Sequence, residues 1–90
     1  MTDALAPLRQ RFRARAAGDL VRLRILSAED PTGELRTLVH NLAGAAGIFG
    51  YGPLGEAATA VDDCYFAGRT PDARLLAVLE QKLAEAAEDS

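Results

Sequence analysis

The chain has 90 residues, of which 49% are hydrophobic and 26% are charged, and it contains one cysteine. This composition is typical of one globular domain, excludes a disordered tail, and leaves no second lobe for a cofactor. Cys64 cannot form a disulfide within the chain, and the first ten residues lack the apolar run of a signal peptide or membrane span. We therefore expect a single cytoplasmic domain over residues 1–90, with no membrane segment.

The net charge of −3 is unevenly distributed along the chain. The first 45 residues hold seven arginines and five acidic residues, whereas the last 45 hold three basic and eight acidic residues. The densest basic run has an arginine at every second position from Arg9 to Arg15, so on a helix these side chains alternate between two flanks. Because the total charge is acidic, solvated side chains are expected here, and nucleic acid is not an expected partner.

Four helices are predicted, because the prolines and most of the glycines lie near the ends of the segments and no segment shows sustained alternation with β-branched residues. The first is a long helix that continues past Gly18, the position at which a bend is expected. Its apolar residues recur at intervals of three and four: Leu5, Leu8, Phe12, Ala16, Leu20 and Leu23.

The second helix is predicted from Pro31, or the residues just after it, to about Tyr51, with Asp30 as its cap. A third helix is predicted over residues 53–67 and ends at Gly68. Its inward face consists of Leu54, Ala58, Val61 and Tyr65.

The fourth helix is predicted to be capped by Thr70, ahead of Pro71. Its apolar face consists of Leu75, Leu76, Leu79 and Leu83. Joins this short favour antiparallel neighbours, so the expected fold is all-α: an antiparallel up-down four-helix bundle.

A helical wheel of the second helix, at about 100° per residue, places the only histidine, His40, opposite the apolar stripe. The stripe consists of Leu35, Leu38, Leu42, Ala45, Ala46 and Phe49. The exposed ridge beside His40 consists of Arg36, Thr37, Ala43, Gly44, Gly47 and Tyr51. Glycine inside a helix costs roughly 0.5–1 kcal/mol relative to alanine. Two glycines on an outer face therefore predict the close approach of something outside the bundle, although a lone surface histidine is often only a polar residue.

Other chemical sites are not predicted. Asp62, Asp63 and Cys64 point about 100° apart on a helix and have no second histidine to help them, so they are interpreted as solvated charge and packing, not as a metal site. A hydrolase pair of His40 and Cys64 is not expected, because the histidine faces outward and the cysteine lies near the core stripe.

The run of His40, Leu42, Gly44 and Gly50, with Ala46 and Phe49 between them, resembles the signature of histidine-containing phosphotransfer (HPt) domains. The size, the four-helix layout and the histidine midway along the second helix are similar to that family across most of the chain. The resemblance implies that His40 accepts a phosphoryl group, on Nε2, from the aspartyl phosphate of a receiver domain. It also implies a phosphorelay carrier that is not an enzyme, with no cofactor of its own and with Mg²⁺ supplied by the receiver.

The resemblance further implies receiver domains and hybrid histidine kinases as partners. The expected docking rim consists of Arg36, Thr37, Asn41, Gly44, Gly47, Ile48 and Tyr51. One position departs from the family pattern, because Ala43 stands where a lysine is common. Arg36, one turn before His40, is expected to supply the missing positive charge. The departure also keeps an alternative open: an adaptor of the same fold that binds receivers or kinases without carrying phosphate.

Overall fold

The structure is a computed structural model that describes residues 4–88, and over that range it consists of four α-helices. They are α1 (Ala6–Ala28), α2 (Glu34–Ile48), α3 (Gly52–Phe66) and α4 (Ala73–Glu88). The described residues contain no strand, which confirms the all-α prediction and the long first helix.

Consecutive helices run antiparallel. Phe12 in the first half of α1 stacks on Tyr51, just beyond α2, with ring centroids 4.9 Å apart. Arg22, near the other end of α1, pairs with Glu34 at the start of α2. Each helix packs on its two neighbours, since α2 contacts α3, α3 contacts α4, and α1 contacts both α4 and α2. The predicted up-down bundle is confirmed.

The core lies where the four apolar stripes meet. Its largest fully buried side chains are Leu23, Val39, Leu42, Leu54, Val61, Leu79 and Leu83. Val39 lay outside the predicted stripe of α2, yet it is fully buried. The reason is that a helix in a bundle faces two neighbours, so its buried sector is wider than a single stripe.

The first turn of α1 is less buried than its periodicity predicts. Leu5 and Leu8 are exposed, although they continue the stripe that Phe12 buries. A 23-residue helix is roughly 35 Å long and the 15-residue α2 roughly 22 Å, so the start of α1 extends beyond its neighbour.

The start of α2 was predicted at Pro31 or the residues just after it, and the helix begins at Glu34, three residues beyond Pro31. The carboxylate of Asp30 accepts hydrogen bonds from the backbone N–H groups of Glu34, at 2.8 Å, and Leu35, at 3.2 Å. Asp30 therefore caps the helix, as predicted, but it does so from a turn formed by residues 31–33. The turn separates the capping carboxylate from the first helical residue.

The end of α2 was predicted too late, and the cap of α4 was wrong. Gly50 has a φ of +78°, and the N–H of Tyr51 donates to the carbonyl of Ala46 at 2.9 Å, which closes α2 after Ile48. At the start of α4, Asp72 replaces Thr70 as the capping side chain. Its carboxylate accepts a hydrogen bond from the Arg74 N–H at 2.7 Å.

Candidate functional site

His40 projects from the middle of α2, and its side chain is 66% exposed. The exposure follows from the helical period, because Leu38 and Leu42 face the core on the opposite side. The expected exposure of the imidazole is confirmed.

Asp62 of α3 supports the imidazole from behind. Its Oδ2 lies 3.2 Å from Nδ1 of His40, and the residue is buried. The interpretation of Asp62 as solvated charge was therefore wrong. The sequence held one signal for this pair: His40 precedes Tyr51 by eleven residues and Asp62 follows it by eleven, so two antiparallel helices joined near Tyr51 bring them to the same level.

This contact indicates which ring nitrogen faces outward. A carboxylate can only accept hydrogen bonds, so Nδ1 donates to Asp62 and carries the proton. In a neutral imidazole the other nitrogen, Nε2, then holds a free lone pair. The geometry thus presents Nε2 of His40 to a partner.

Arg36 lies one turn before His40 and packs on two aromatic residues of α3. Its guanidinium carbon is 5.9 Å from the ring centroids of both Tyr65 and Phe66. Burial raises the pKa of the Tyr65 phenol above its usual 10.0; the Asp30 carboxylate raises it further, while Arg36 lowers it. Arg36 is thereby held at the edge of the histidine site as a positioned positive charge.

Three predicted residues share one depression with two that the sequence analysis missed. It is lined by Arg36, Thr37, His40, Asp62 and Phe66. Phe66 is 71% exposed and adds apolar surface to this depression.

The predicted glycines and the residues beyond them lie on the same outer face of α2. A Cβ atom added to Gly44 or Gly47 would meet no atom within 4 Å, so neither glycine is required by packing within the described bundle. Asn41 is exposed, and Ile48 is 77% exposed. Ala43 is half-buried and lines a separate groove toward α3.

Tyr51 is not brought to His40. It is half-buried against Phe12 and lines a depression with Pro53, Leu54 and Lys82 at the end of the bundle. The prediction that Tyr51 belongs to the docking rim stays a prediction, and the structure packs this side chain at the end of the bundle.

The family model described as the Hpt domain matches residues 7–89, which is most of the chain. The chain belongs to the Hpt domain family. Neither a curated protein nor a solved structure matches it. Hpt domains take part in histidine phosphotransfer in phosphorelays, where they act as phosphocarriers rather than enzymes and interact with receiver domains and kinases.

The other reactive groups of this Hpt domain lie apart from His40. Cys64 is buried, and its thiol donates to the carbonyl of Ala60 in its own helix at 3.5 Å.

Within residues 4–88 no three His, Cys, Asp or Glu side chains are grouped so that they would hold a metal ion. None of the four described helices combines the length and the apolar character needed to cross a membrane.

Proposed function

We propose that this Hpt domain carries a phosphoryl group on Nε2 of His40 and exchanges it with the aspartates of receiver domains. The observation that carries the proposal is the pairing of the chain's only histidine, exposed on α2, with the buried carboxylate of Asp62. The other side chains of the depression are Arg36, Thr37, Asp62 and Phe66, and the carboxylate of Asp62 is already engaged with Nδ1 of His40.

The transfer requires little from the carrier. The lone pair of Nε2 forms the new N–P bond while the P–O bond to the receiver's aspartyl oxygen breaks, and the aspartate leaves as a carboxylate with that electron pair. Nδ1 keeps its proton, and the Asp62 carboxylate stabilises the positive charge that develops on the ring. Transfer to a second receiver reverses these steps.

The remaining charge stabilisation is assigned to the partner and to Arg36. The receiver would supply Mg²⁺, which neutralises charge on the transferring phosphoryl group, so the Hpt domain needs no cofactor of its own. Arg36 supplies the positive charge of the lysine that is common at position 43, because its long side chain lines the depression with His40. Hybrid histidine kinases and receivers are the proposed partners, and the cytoplasm is the proposed location.

One observation favours a second candidate function. Ala43 offers no positive charge beside the phosphorylation site, so the same fold would also suit an adaptor that binds receivers without taking their phosphate. The carrier and the adaptor both bind receiver domains, but only the carrier takes a phosphoryl group on His40.

The test is incubation of the purified protein with phosphorylated receiver domains and Mg²⁺. Label that is acid-labile and base-stable should appear on the wild type and not on His40→Gln. Because His40 is exposed, the variant should keep the wild-type thermal transition and bind receivers normally. If no receiver labels the wild type while one still binds it, the carrier is wrong and the adaptor is supported.

A further inference from the structure

A second groove borders the histidine site, on the side of α2 and α3 opposite to Arg36. Its volume is about 520 Å³. Its floor consists of small residues: Ala43, Gly47, Gly52, Gly55 and Ala60. The walls are formed by Glu56, Thr59 and Asp63, all exposed on α3. Ala43 follows His40 by less than a turn and Asp63 follows Asp62, so the groove lies next to the depression around the imidazole.

The two acidic residues of this groove are uncompensated. Neither Glu56 nor Asp63 makes a salt bridge or side-chain hydrogen bond with any residue between 4 and 88. Four other acidic side chains are paired, Asp19 with Arg15, Glu34 with Arg22, Glu80 with Arg24 and Glu85 with Lys82, whereas Glu29 and Glu88, outside the groove, also have no salt bridge among the described residues. Helix α3 itself contains no basic residue, so a negative potential extends along the groove.

Two glycines form part of the groove floor for different reasons. A Cβ on Gly55 would lie 3.6 Å from the Cβ of Ala46, so this glycine lies where α2 and α3 approach closely. Gly47 has no such neighbour, and its Cβ would project into open space. A helix glycine without an internal packing reason leaves room for a backbone from outside.

We propose that this groove receives a helix of the receiver domain, and that this helix presents lysine or arginine side chains to Glu56 and Asp63. The inference rests on the proposed function, which brings the receiver to His40, and it names the kind of receiver that fits. Small floor residues admit the helix closely, and the two unpaired carboxylates select basic side chains on it.

The same arrangement accounts for the alanine at position 43. A lysine there would project from the groove floor toward Glu56 and Asp63, where it would occupy space and neutralise the carboxylates. Ala43 keeps the groove open and acidic, so the groove stays available to basic side chains of the partner.

The test combines charge reversal with two sets of receivers, one with a basic and one with an acidic helix beside the phosphorylated aspartate. Phosphotransfer is measured for the wild type, for Glu56→Lys with Asp63→Lys, and for Ala43→Lys. The control is Glu29→Lys with Glu88→Lys, which makes the same change in net charge at exposed positions away from the groove.

The wild type should react faster with basic-helix receivers, with kcat/KM falling as salt rises. For the variant that combines Glu56→Lys with Asp63→Lys, kcat/KM should fall about tenfold or more with basic-helix receivers and should rise with acidic-helix receivers. This is the range expected for electrostatic steering. Ala43→Lys should also lose rate with basic-helix receivers, and the control variant should match the wild type. Equal rates for wild type and charge-reversed variants with both sets would overturn the proposal.

A small-molecule donor separates this proposal from the proposed function. Phosphoramidate transfers its phosphoryl group without a docking helix, so it should label His40 equally in the wild type and in the variant that combines Glu56→Lys with Asp63→Lys. Labelling of His40 by phosphoramidate and by receivers, with no charge preference, overturns the groove proposal alone. A wild type that neither donor labels contradicts the phosphoryl carrier itself.

Discussion

The hydrogen bond from His40 to Asp62 connects the exposed imidazole to the interior of the bundle. An exposed imidazole alone would rotate and would exchange its proton between two nitrogens. Here the buried carboxylate holds Nδ1 at 3.2 Å and leaves Nε2 outward. The role of His40 is thus shared by two helices, since α2 supplies the ring and α3 supplies its orientation.

Replacing Asp62 by asparagine should slow phosphotransfer without removing it. The amide keeps the size of the side chain but loses the charge that stabilises the ring as the N–P bond forms. We expect a loss of roughly ten- to a hundredfold, which corresponds to a charge-assisted hydrogen bond of about 1.5–3 kcal/mol. Asp63→Asn is the matched control for labelling by phosphoramidate, because Asp63 is exposed and does not contact His40. Equal labelling rates of the two variants would exclude the positioning role of Asp62.

Arg36→Ala should shorten the lifetime of the phosphohistidine and slow its formation. The guanidinium lies at the edge of the site, against Tyr65 and Phe66, from which it can reach a phosphoryl oxygen. The expected effect is severalfold, consistent with about 1 kcal/mol for an exposed charge. The transfer rate and phosphohistidine lifetime of Arg36→Lys should lie between those of the wild type and Arg36→Ala, since lysine keeps the charge but not the planar guanidinium group. If Arg36→Ala changed neither the transfer rate nor the lifetime, the compensation for Ala43 would be wrong.

At the scale of single residues, the sequence predicts what depends on one helix. His40 is identified because the 3.6-residue period places it opposite Leu38 and Leu42. Asp62 is missed because its burial depends on the register between α2 and α3, which no pattern within either helix encodes. The equal spacing of both residues from Tyr51 would have located the pair once the antiparallel hairpin was assumed.

At the scale of helices, replacing the glycines of α2 should change stability and phosphotransfer in opposite directions. Gly44→Ala and Gly47→Ala should each raise the free energy of unfolding by roughly 0.5–1 kcal/mol, because the new methyl group meets open space and alanine favours the helix. The same variants should lower transfer from receivers by about tenfold, the equivalent of about 1.4 kcal/mol of lost contact.

Gly18→Ala is the control for these two variants. Gly18 lies inside α1, where an added Cβ also meets no atom within 4 Å. It should stabilise the protein by a similar amount in chemical denaturation and leave transfer unchanged. Unimpaired transfer in Gly44→Ala and Gly47→Ala would show that close approach of a partner is not the reason for these glycines.

The helix boundaries show where sequence patterns give wrong positions. The stripes locate all four helices, but Asp30 caps α2 across a turn, and Asp72, not Thr70, caps α4. Several side chains near each join were capable of capping. The choice among them depends on the path of the loop, which the helices on either side determine.

At the scale of the molecule, the bundle separates a basic helix from an acidic face. Helix α1 contains six arginines and one aspartate, whereas α3 contains three acidic residues and no basic one. Composition predicted this polarity between the halves of the chain. It did not predict the groove of α2 and α3, because that surface forms only when the two helices pack at one register.

The most direct test of the phosphoryl carrier is NMR of the His40 ring nitrogens before and after phosphorylation. The chain has one histidine, so a ¹⁵N-labelled sample without a histidine tag gives a single imidazole pattern. The free protein should show a protonated Nδ1 and an unprotonated Nε2, and after phosphorylation the coupling to ³¹P should appear on Nε2. Coupling to Nδ1, or an imidazole pattern unchanged while the protein carries phosphate, would contradict the assignment of His40 Nε2 as the carrier atom.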